Sequence, residues 1–402
     1  MKYKVALLIP EFDVAGGVTA VGLFLRDVLS STDRYHADVI SLAMGARDPV
    51  SSQMLAPGTW ARGAEIAPKT WDGIPYQHAG ARWAELEFQR YRPRPSLTRL
   101  LRSYDLIQVV AGTPPWAHVA KEVDVPVALQ VATLTRVERE GQGSHASVAR
   151  RIWQSGMTRV ATWMEDAISE FVDAIFVENA WMHNHYSNSK AQDAVHFAPP
   201  GVDTSLFHPP EEPSSRENYI LCVGRLDDPR KNIGLLFRAY YKLRQLSPTG
   251  SMPRLVLAGL SGPSDRDWRL ASDLGIRHAI QMHEQVPKQD LAELYRRARL
   301  FVLSSNEEGF GIVLAEAMAS GTPVVSTDCG GPSTLIEHEE TGLLTPTGNS
   351  EALAEAMKDL LTHPEVAQQI GDAGRVRIEE KFSNQAAGRR YLRVYDGLLD
   401  KK

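Results

Sequence analysis

Two carboxylates eight positions apart, Glu308 and Glu316, flank the glycine turn Gly309-Phe310-Gly311 and the apolar run that begins at Ile312. This pattern suits a hydroxyl-rich or anionic ligand. Backbone N–H groups at a helix start, here around Gly309 to Ile312, receive such groups, and glycines let the ligand come close. Glu316 falls a turn or more into the expected helix, among Val313, Leu314, Ala317 and Met318. Alone there its charge would cost on the order of several kcal/mol, so it requires a donor or a ligand hydroxyl. A second pair of charged residues, Arg225 and Lys231, follows the apolar run 219–223. Arginine offers a fork of N–H donors and lysine a compact charge, which together grip a diphosphate.

These residues need a scaffold that ends strands at a common edge. Phe301-Val302-Leu303 reads as a buried strand and 311–319 as a helix, which puts Glu308 on the loop between them. In open α/β sheets that is the ligand end of a parallel strand. The same alternation runs through the first half, with strands expected at 3–9, 37–42, 106–110, 125–131, 174–177 and 194–197. The Gly16-Gly17 loop joins the first strand to a helix. A long amphipathic segment, 147–171, places Met157, Ala161, Met164 and Ile168 on one face, as a core helix would. By the carboxyl-end rule the ligand-facing groups of this half are Gly16-Gly17, Gly112-Thr113, 133–136, Glu178-Asn179 and 200–203. A polar, proline-bearing stretch, 211–218, marks a linker, after which a second α/β series begins.

With 402 residues and 43 % apolar content, the chain has enough material for two domains. A net charge of −5 argues against nucleic acid as the main partner. The two cysteines, Cys222 and Cys329, make neither a disulfide framework nor a metal site and point to a reducing, cytoplasmic setting. The apolar start stops at Pro10 and reads as a strand, and no run reaches the roughly 20 apolar residues of a membrane span. The one basic cluster, from Arg90 through Arg92, Arg94, Arg99 and Arg102, reads as a solvated loop. Its sharper reading is peripheral contact with the anionic inner membrane surface or with a phosphorylated acceptor.

The run from Glu308 to Glu316 resembles the E-x7-E signature of glycosyltransferase family 4, retaining enzymes of the GT-B fold. Gly321-Thr322-Pro323-Val324-Val325-Ser326, Gly330-Gly331-Pro332 and Thr341-Gly342-Leu343-Leu344 follow in that family's order, and Pro200-Gly201-Val202-Asp203 resembles its P-G-V-D turn. The resemblance implies two Rossmann-like domains whose parallel sheets face a central cleft. Residues 1–210 would form the acceptor side and 211–383 the nucleotide-sugar side, with a terminal helix, 384–402, packing back on the first. It implies metal-independent transfer from a UDP- or GDP-linked sugar to a glycan, a lipid-linked sugar or a small molecule. Glu308, Arg225 and Lys231 would carry catalysis. Gly16, Gly17, Val286, Gly309, Phe310, Gly311, Ile312 and Glu316 would join them in holding the donor, with Glu316 on the ribose.

The sequence departs from the family at three places, one of them 106–112, which lacks the histidine pair often seen there. Many members carry a histidine after the strand matching 125–131, where this chain reads Gln130-Val131-Ala132-Thr133-Leu134. The acceptor-side role then falls to Gln130, Thr133 or Arg136, to backbone, or to nothing. Glu284 stands where a glycine is common beside the base. Two other readings stay open: another GT-B activity, epimerisation or phosphorolysis, and sugar-nucleotide binding without turnover. The absence of G-x-G-x-x-G counts against an NAD enzyme.

Overall fold

In the computed structural model, which describes residues 2–14, 16–139, 155–212, 216–246 and 252–400 in full and only the backbone of 140 and 148–154, the chain divides into two compact units. The first comprises Met1–Pro200 and Gly388–Lys402. Its strands are β1 (Tyr3–Pro10), β2 (Tyr35–Leu42), β3 (Ile66–Trp71), β4 (Ile74–Ala79), β5 (Leu106–Ala111), β6 (Val127–Val131), β7 (Ala174–Val177) and β8 (Val195–Phe197). They lie in the order β3-β4-β2-β1-β5-β6-β7-β8, and every neighbouring pair is parallel except β3 and β4. Strands covered by helices on both faces must be apolar throughout, and Val5 to Ile9 are fully buried.

The hairpin β3–β4 was not among the expected strands, although its signal is present. Asp72-Gly73 separates two short β-prone runs, and both residues take positive φ, 48° and 74°, as a two-residue hairpin turn demands. The basic cluster is also only partly a surface feature. Arg94 is 4 % exposed and its guanidinium donates to the carbonyls of Gly80, Arg90 and Arg92, so it ties the start of the helix Pro95–Leu101 to the sheet edge.

The helix Asn384–Leu399 contributes Tyr391 and Tyr395, both fully buried, to the first unit. Tyr395 donates its hydroxyl to Gln108 of β5 at 2.6 Å, and Tyr391 lies 2.6 Å from Gln130 of β6. Arg34 of the same unit pairs with Asp396 and Asp400.

The second unit, Gly201–Ala387, is built on β9 (Glu217–Val223), β10 (Arg254–Gly259), β11 (Ile280–Glu284), β12 (Ala298–Leu303), β13 (Val324–Thr327) and β14 (Leu343–Thr345). The sheet runs β11-β10-β9-β12-β13-β14, parallel throughout. The division falls ahead of the expected linker because 201–209 already pack here. Val202 N–H donates to Phe382 O at 2.8 Å, and Phe207 lies edge-on to Tyr295. Within 211–218, residues 213–215 are outside the described ones, and Arg216 is an anchor that donates to the carbonyls of Arg296, Ala298 and Gly321. No described helix is long and apolar enough to cross a membrane.

Candidate functional site

In the second sheet the strand order reverses between β9 and β12, and that is where the charged residues singled out by sequence meet. Beyond β9 the chain makes the short turn Pro229–Lys231, capped by Asp228, whose carboxylate accepts from Arg230 N–H at 3.0 Å. Beyond β12 it runs through Ser304, Ser305 and Asn306. The two loops are bonded together. Asn306 N–H donates to Arg230 O at 2.7 Å and Ser304 Oγ to Lys231 O at 2.9 Å.

Lys231 Nζ consequently reaches Glu308 Oε1 at 2.6 Å, with the two side chains 16 % and 10 % exposed. Ser305 Oγ donates to the same oxygen at 2.6 Å, and Ser305 is itself fixed by Thr327 Oγ1 on its carbonyl. Arg225 remains more than half exposed, 3.3 Å from Asp228, so its fork is turned to solvent beside the pair. Burial pushes the thiols of Cys222 and Cys329 up to about 12, the latter with Glu308 nearby, so neither acts as a thiolate at neutral pH.

Gly311 caps the helix Ile312–Ala319 at φ 90°, a conformation that glycine adopts without strain. Phe310 turns inward against Phe382, and the backbone of the turn is held by Gly331, whose N–H donates to Glu308 O at 3.0 Å. Glu316 points from this helix to Tyr295 on the helix Lys288–Arg297, whose hydroxyl donates to Glu316 Oε2 at 2.9 Å. The requirement for a donor is met by the protein. Val286 is half-buried just after β11, beside the exposed Glu284.

The ends of β9 and β10 come unusually close. A Cβ on Gly259 would stand 2.1 Å from Gly224 O. Gly259→Ala must therefore push the β9 loop outward and should lower stability by about 1 to 3 kcal/mol in urea unfolding, as overpacking does. Unchanged stability would show that the loop yields freely.

In the first unit the Gly16-Gly17 loop precedes the 14-residue helix Gly17–Ser30, which has no acidic residue in its first turn and no side-chain cap. A Cβ built on either glycine meets nothing within 4 Å, so this helix start is open. The acceptor-side expectation for Gln130 is corrected. It is 1 % exposed, its amide engaged by Glu178 and Tyr391, because β6 is buried on both faces and the C-terminal helix lies on it. Thr133 is buried, while Arg136 is exposed on the helix Thr135–Glu140.

Sequence reasoning missed Tyr295 and Ser305, which carry no motif of their own. It also missed a cavity of about 320 Å³ beyond β1, β2 and β4, lined by Glu11, Asp13, Asp48, Lys69 and His78. Those residues are scattered over four segments, and spacing gives no sign of them.

Residues 203–377 match the family model of glycosyl transferases group 1. A D-inositol 3-phosphate glycosyltransferase of Thermobifida fusca is 29 % identical over 319 residues, 74 % of this chain and 69 % of that protein. Several further relatives of the same description match over about half of their own length. Among solved structures, sucrose-phosphate synthase from Thermosynechococcus elongatus superposes with a TM-score of 0.76 at 23 % identity, covering 100 % of both chains. Anabaena HepE in complex with UDP-glucose gives 0.69 at 16 % identity, covering 98 % of this chain and 100 % of that one.

Proposed function

We propose that this chain, whose residues 203–377 match the model of glycosyl transferases group 1 and whose fold is that of GT-B neighbours, moves a sugar from a nucleotide-diphosphate sugar to an acceptor hydroxyl with retention of configuration. The observation that carries this reading is the Lys231–Glu308 pair at the switch point of the second sheet, with Arg225 beside it and Glu316 on the following helix. The neighbour solved with UDP-glucose favours a UDP-linked donor, with GDP as the second nucleotide to test. The acceptor carries a free hydroxyl, and the two thiols suit a cytoplasmic setting.

In the proposed reaction the bond between the anomeric carbon and the phosphate oxygen breaks while the acceptor oxygen bonds to the same face. The acceptor's proton passes to the departing phosphate. Negative charge grows on that phosphate as the bond breaks, and Arg225 and Lys231 are the cations in place to stabilise it, without a metal ion as part of the proposal. Glu308 already accepts from Lys231 and Ser305 through Oε1, which makes it a poor nucleophile. We assign it to positioning the donor sugar, with Gly309, Phe310, Gly311 and Ile312 supplying backbone N–H groups. Glu316 takes the ribose hydroxyls and Val286 the base.

A panel of nucleotide sugars with and without candidate acceptors tests this. Acceptor-dependent nucleotide release, with an anomeric configuration in the product equal to that of the donor, supports the proposal. Acceptor-independent conversion overturns it in favour of an epimerase. The grip on the diphosphate has its own check. Arg225→Ala should weaken UDP binding in calorimetry by about tenfold, the worth of a charged hydrogen bond. Because Arg225 is exposed, its loss should leave the melting temperature unchanged. Equal affinity in both proteins would remove Arg225 from the site.

A further inference from the structure

The ribose assignment of Glu316 leaves open what holds its carboxyl group in a state able to accept two vicinal hydroxyls. We propose that Tyr295 is the positioning residue for nucleotide recognition, fixing one oxygen of Glu316 and keeping the group an acceptor for the ribose; this rests on the reading of Glu316 given above.

The geometry makes Tyr295 a rigid donor. Its side chain is fully buried, edge-on to Phe207 at 5.7 Å and tilted against Phe301 at 5.7 Å. Its backbone carbonyl accepts from Thr322 Oγ1 at 2.7 Å, which locks the end of its helix. The hydroxyl is raised well above its ordinary range by burial and by the nearby Glu316, so it stays protonated and can only present O–H to the carboxylate. That O–H reaches Glu316 Oε2, and among the described residues no other hydrogen bond to the Glu316 side chain is formed. Oε1 is thereby left for a ligand.

The surroundings explain why such a donor matters. Burial pushes the Glu316 carboxyl up to about 7, against the Tyr295 hydrogen bond and the charge of Lys288, both of which favour the anion. The other charged or titratable groups around the helix Ile312–Ala319 are engaged elsewhere or neutral. Cys222 of β9 is a buried thiol, and Arg375 of the helix Pro364–Arg377 donates to Ala319 O at 2.6 Å and pairs with Glu379. A carboxylate accepts from both ribose hydroxyls, whereas a carboxylic acid loses half of that capacity. Removing the phenolic O–H takes away a contact that favours the anion, so Glu316 should hold its proton to higher pH.

The test compares UDP with 2′,3′-dideoxy-UDP by calorimetry at pH 6.0, 7.0 and 8.5, for wild type, Tyr295→Phe and Glu316→Gln. Phenylalanine keeps the ring in place and removes only the oxygen. In wild type the ribose hydroxyls should strengthen binding by about tenfold at pH 8.5, a charge-assisted contact, and the gain should shrink by pH 6.0, where a carboxyl lifted to about 7 carries its proton. Tyr295→Phe should lose most of that gain at pH 7.0 and recover it at pH 8.5, where base supplies the carboxylate. Glu316→Gln should lose the gain at every pH. A Tyr295→Phe protein that keeps the wild-type ribose gain at all three pH values, while Glu316→Gln loses it, overturns the Tyr295 inference and leaves the ribose reading standing. A Glu316→Gln protein that keeps the gain overturns both. A loss in Tyr295→Phe that does not depend on pH marks a packing role and also overturns the inference.

Discussion

Lys231→Met lowers stability and turnover together, and adding Glu308→Gln to it returns the stability without the turnover. Nζ and Oε1 are 2.6 Å apart, and both side chains are largely withdrawn from solvent. Taking away the lysine alone strands the carboxylate beside Ser305 with no counter-charge, a loss of about 3 kcal/mol on the scale of buried pairs. When both charges are removed, that penalty goes with them, and the double variant should unfold within about 1 kcal/mol of wild type. Turnover behaves differently because the leaving phosphate still lacks its cation. Nucleotide release should stay depressed by about 10² to 10³ in both variants. Urea titration and nucleotide release on the same preparations separate the effects. A double variant as unstable as the single one refutes the ion-pair account, and one with wild-type turnover refutes the chemistry.

Glu178→Gln should stabilise the first unit at pH 8 by about 3 kcal/mol and leave it almost unchanged at pH 4.5, because burial lifts this carboxyl from 4.5 to about 7. The hydrogen bonds around it ask for the same protonation. Tyr391 Oη lies 2.6 Å from both Gln130 Oε1 and Ala198 O, yet a hydroxyl carries one proton. Turning the Gln130 amide over gives Tyr391 an N–H donor and points the amide oxygen at Glu178, 2.9 Å away in the network. Glu178 must then donate, as a carboxylic acid. Between about 4.5 and 7 the folded chain keeps a proton that the unfolded chain releases. The stability this group confers is therefore full below 4.5, declines across that window and is gone above 7. Glutamine donates at every pH and does not titrate. Glu316 is lifted similarly, so the quantity to measure is the difference between the variant and wild type, by urea unfolding at several pH values. A difference that does not grow with pH would mean that Glu178 is ionised in the folded state.

What the sequence revealed follows from the range of the interaction. The buried strands β1, β2, β5, β6, β7, β9 and β12 were legible because burial on two faces writes itself as continuous apolar runs, and β7 was placed residue for residue. Glu308, Arg225 and Lys231 were legible because each sits just beyond such a run. Gln130 was misread for the same reason. Position alone put it beside the other loops, but its partners, Glu178 and Tyr391, are 48 and 261 residues away in sequence. Tyr295 was invisible because one buried tyrosine on an amphipathic helix reads as packing. The Asp72-Gly73 hairpin, in contrast, carries a local signal, two residues of positive φ between short β-prone runs.

The helix that brings Tyr391 and Tyr395 under β5 and β6 also sets an order of assembly. During synthesis the first 200 residues leave the ribosome long before Gly388 is made, and domains ordinarily fold as they emerge. Here Gln108 and Gln130 meet their tyrosines only after the whole second unit has been translated. Until then the nascent first unit exposes the apolar ground on which two large aromatic rings will lie. The first unit is therefore closed only by the helix that carries Tyr391 and Tyr395, and a chain cut between Gly388 and Tyr391 would undo residues 1–200 rather than the second unit.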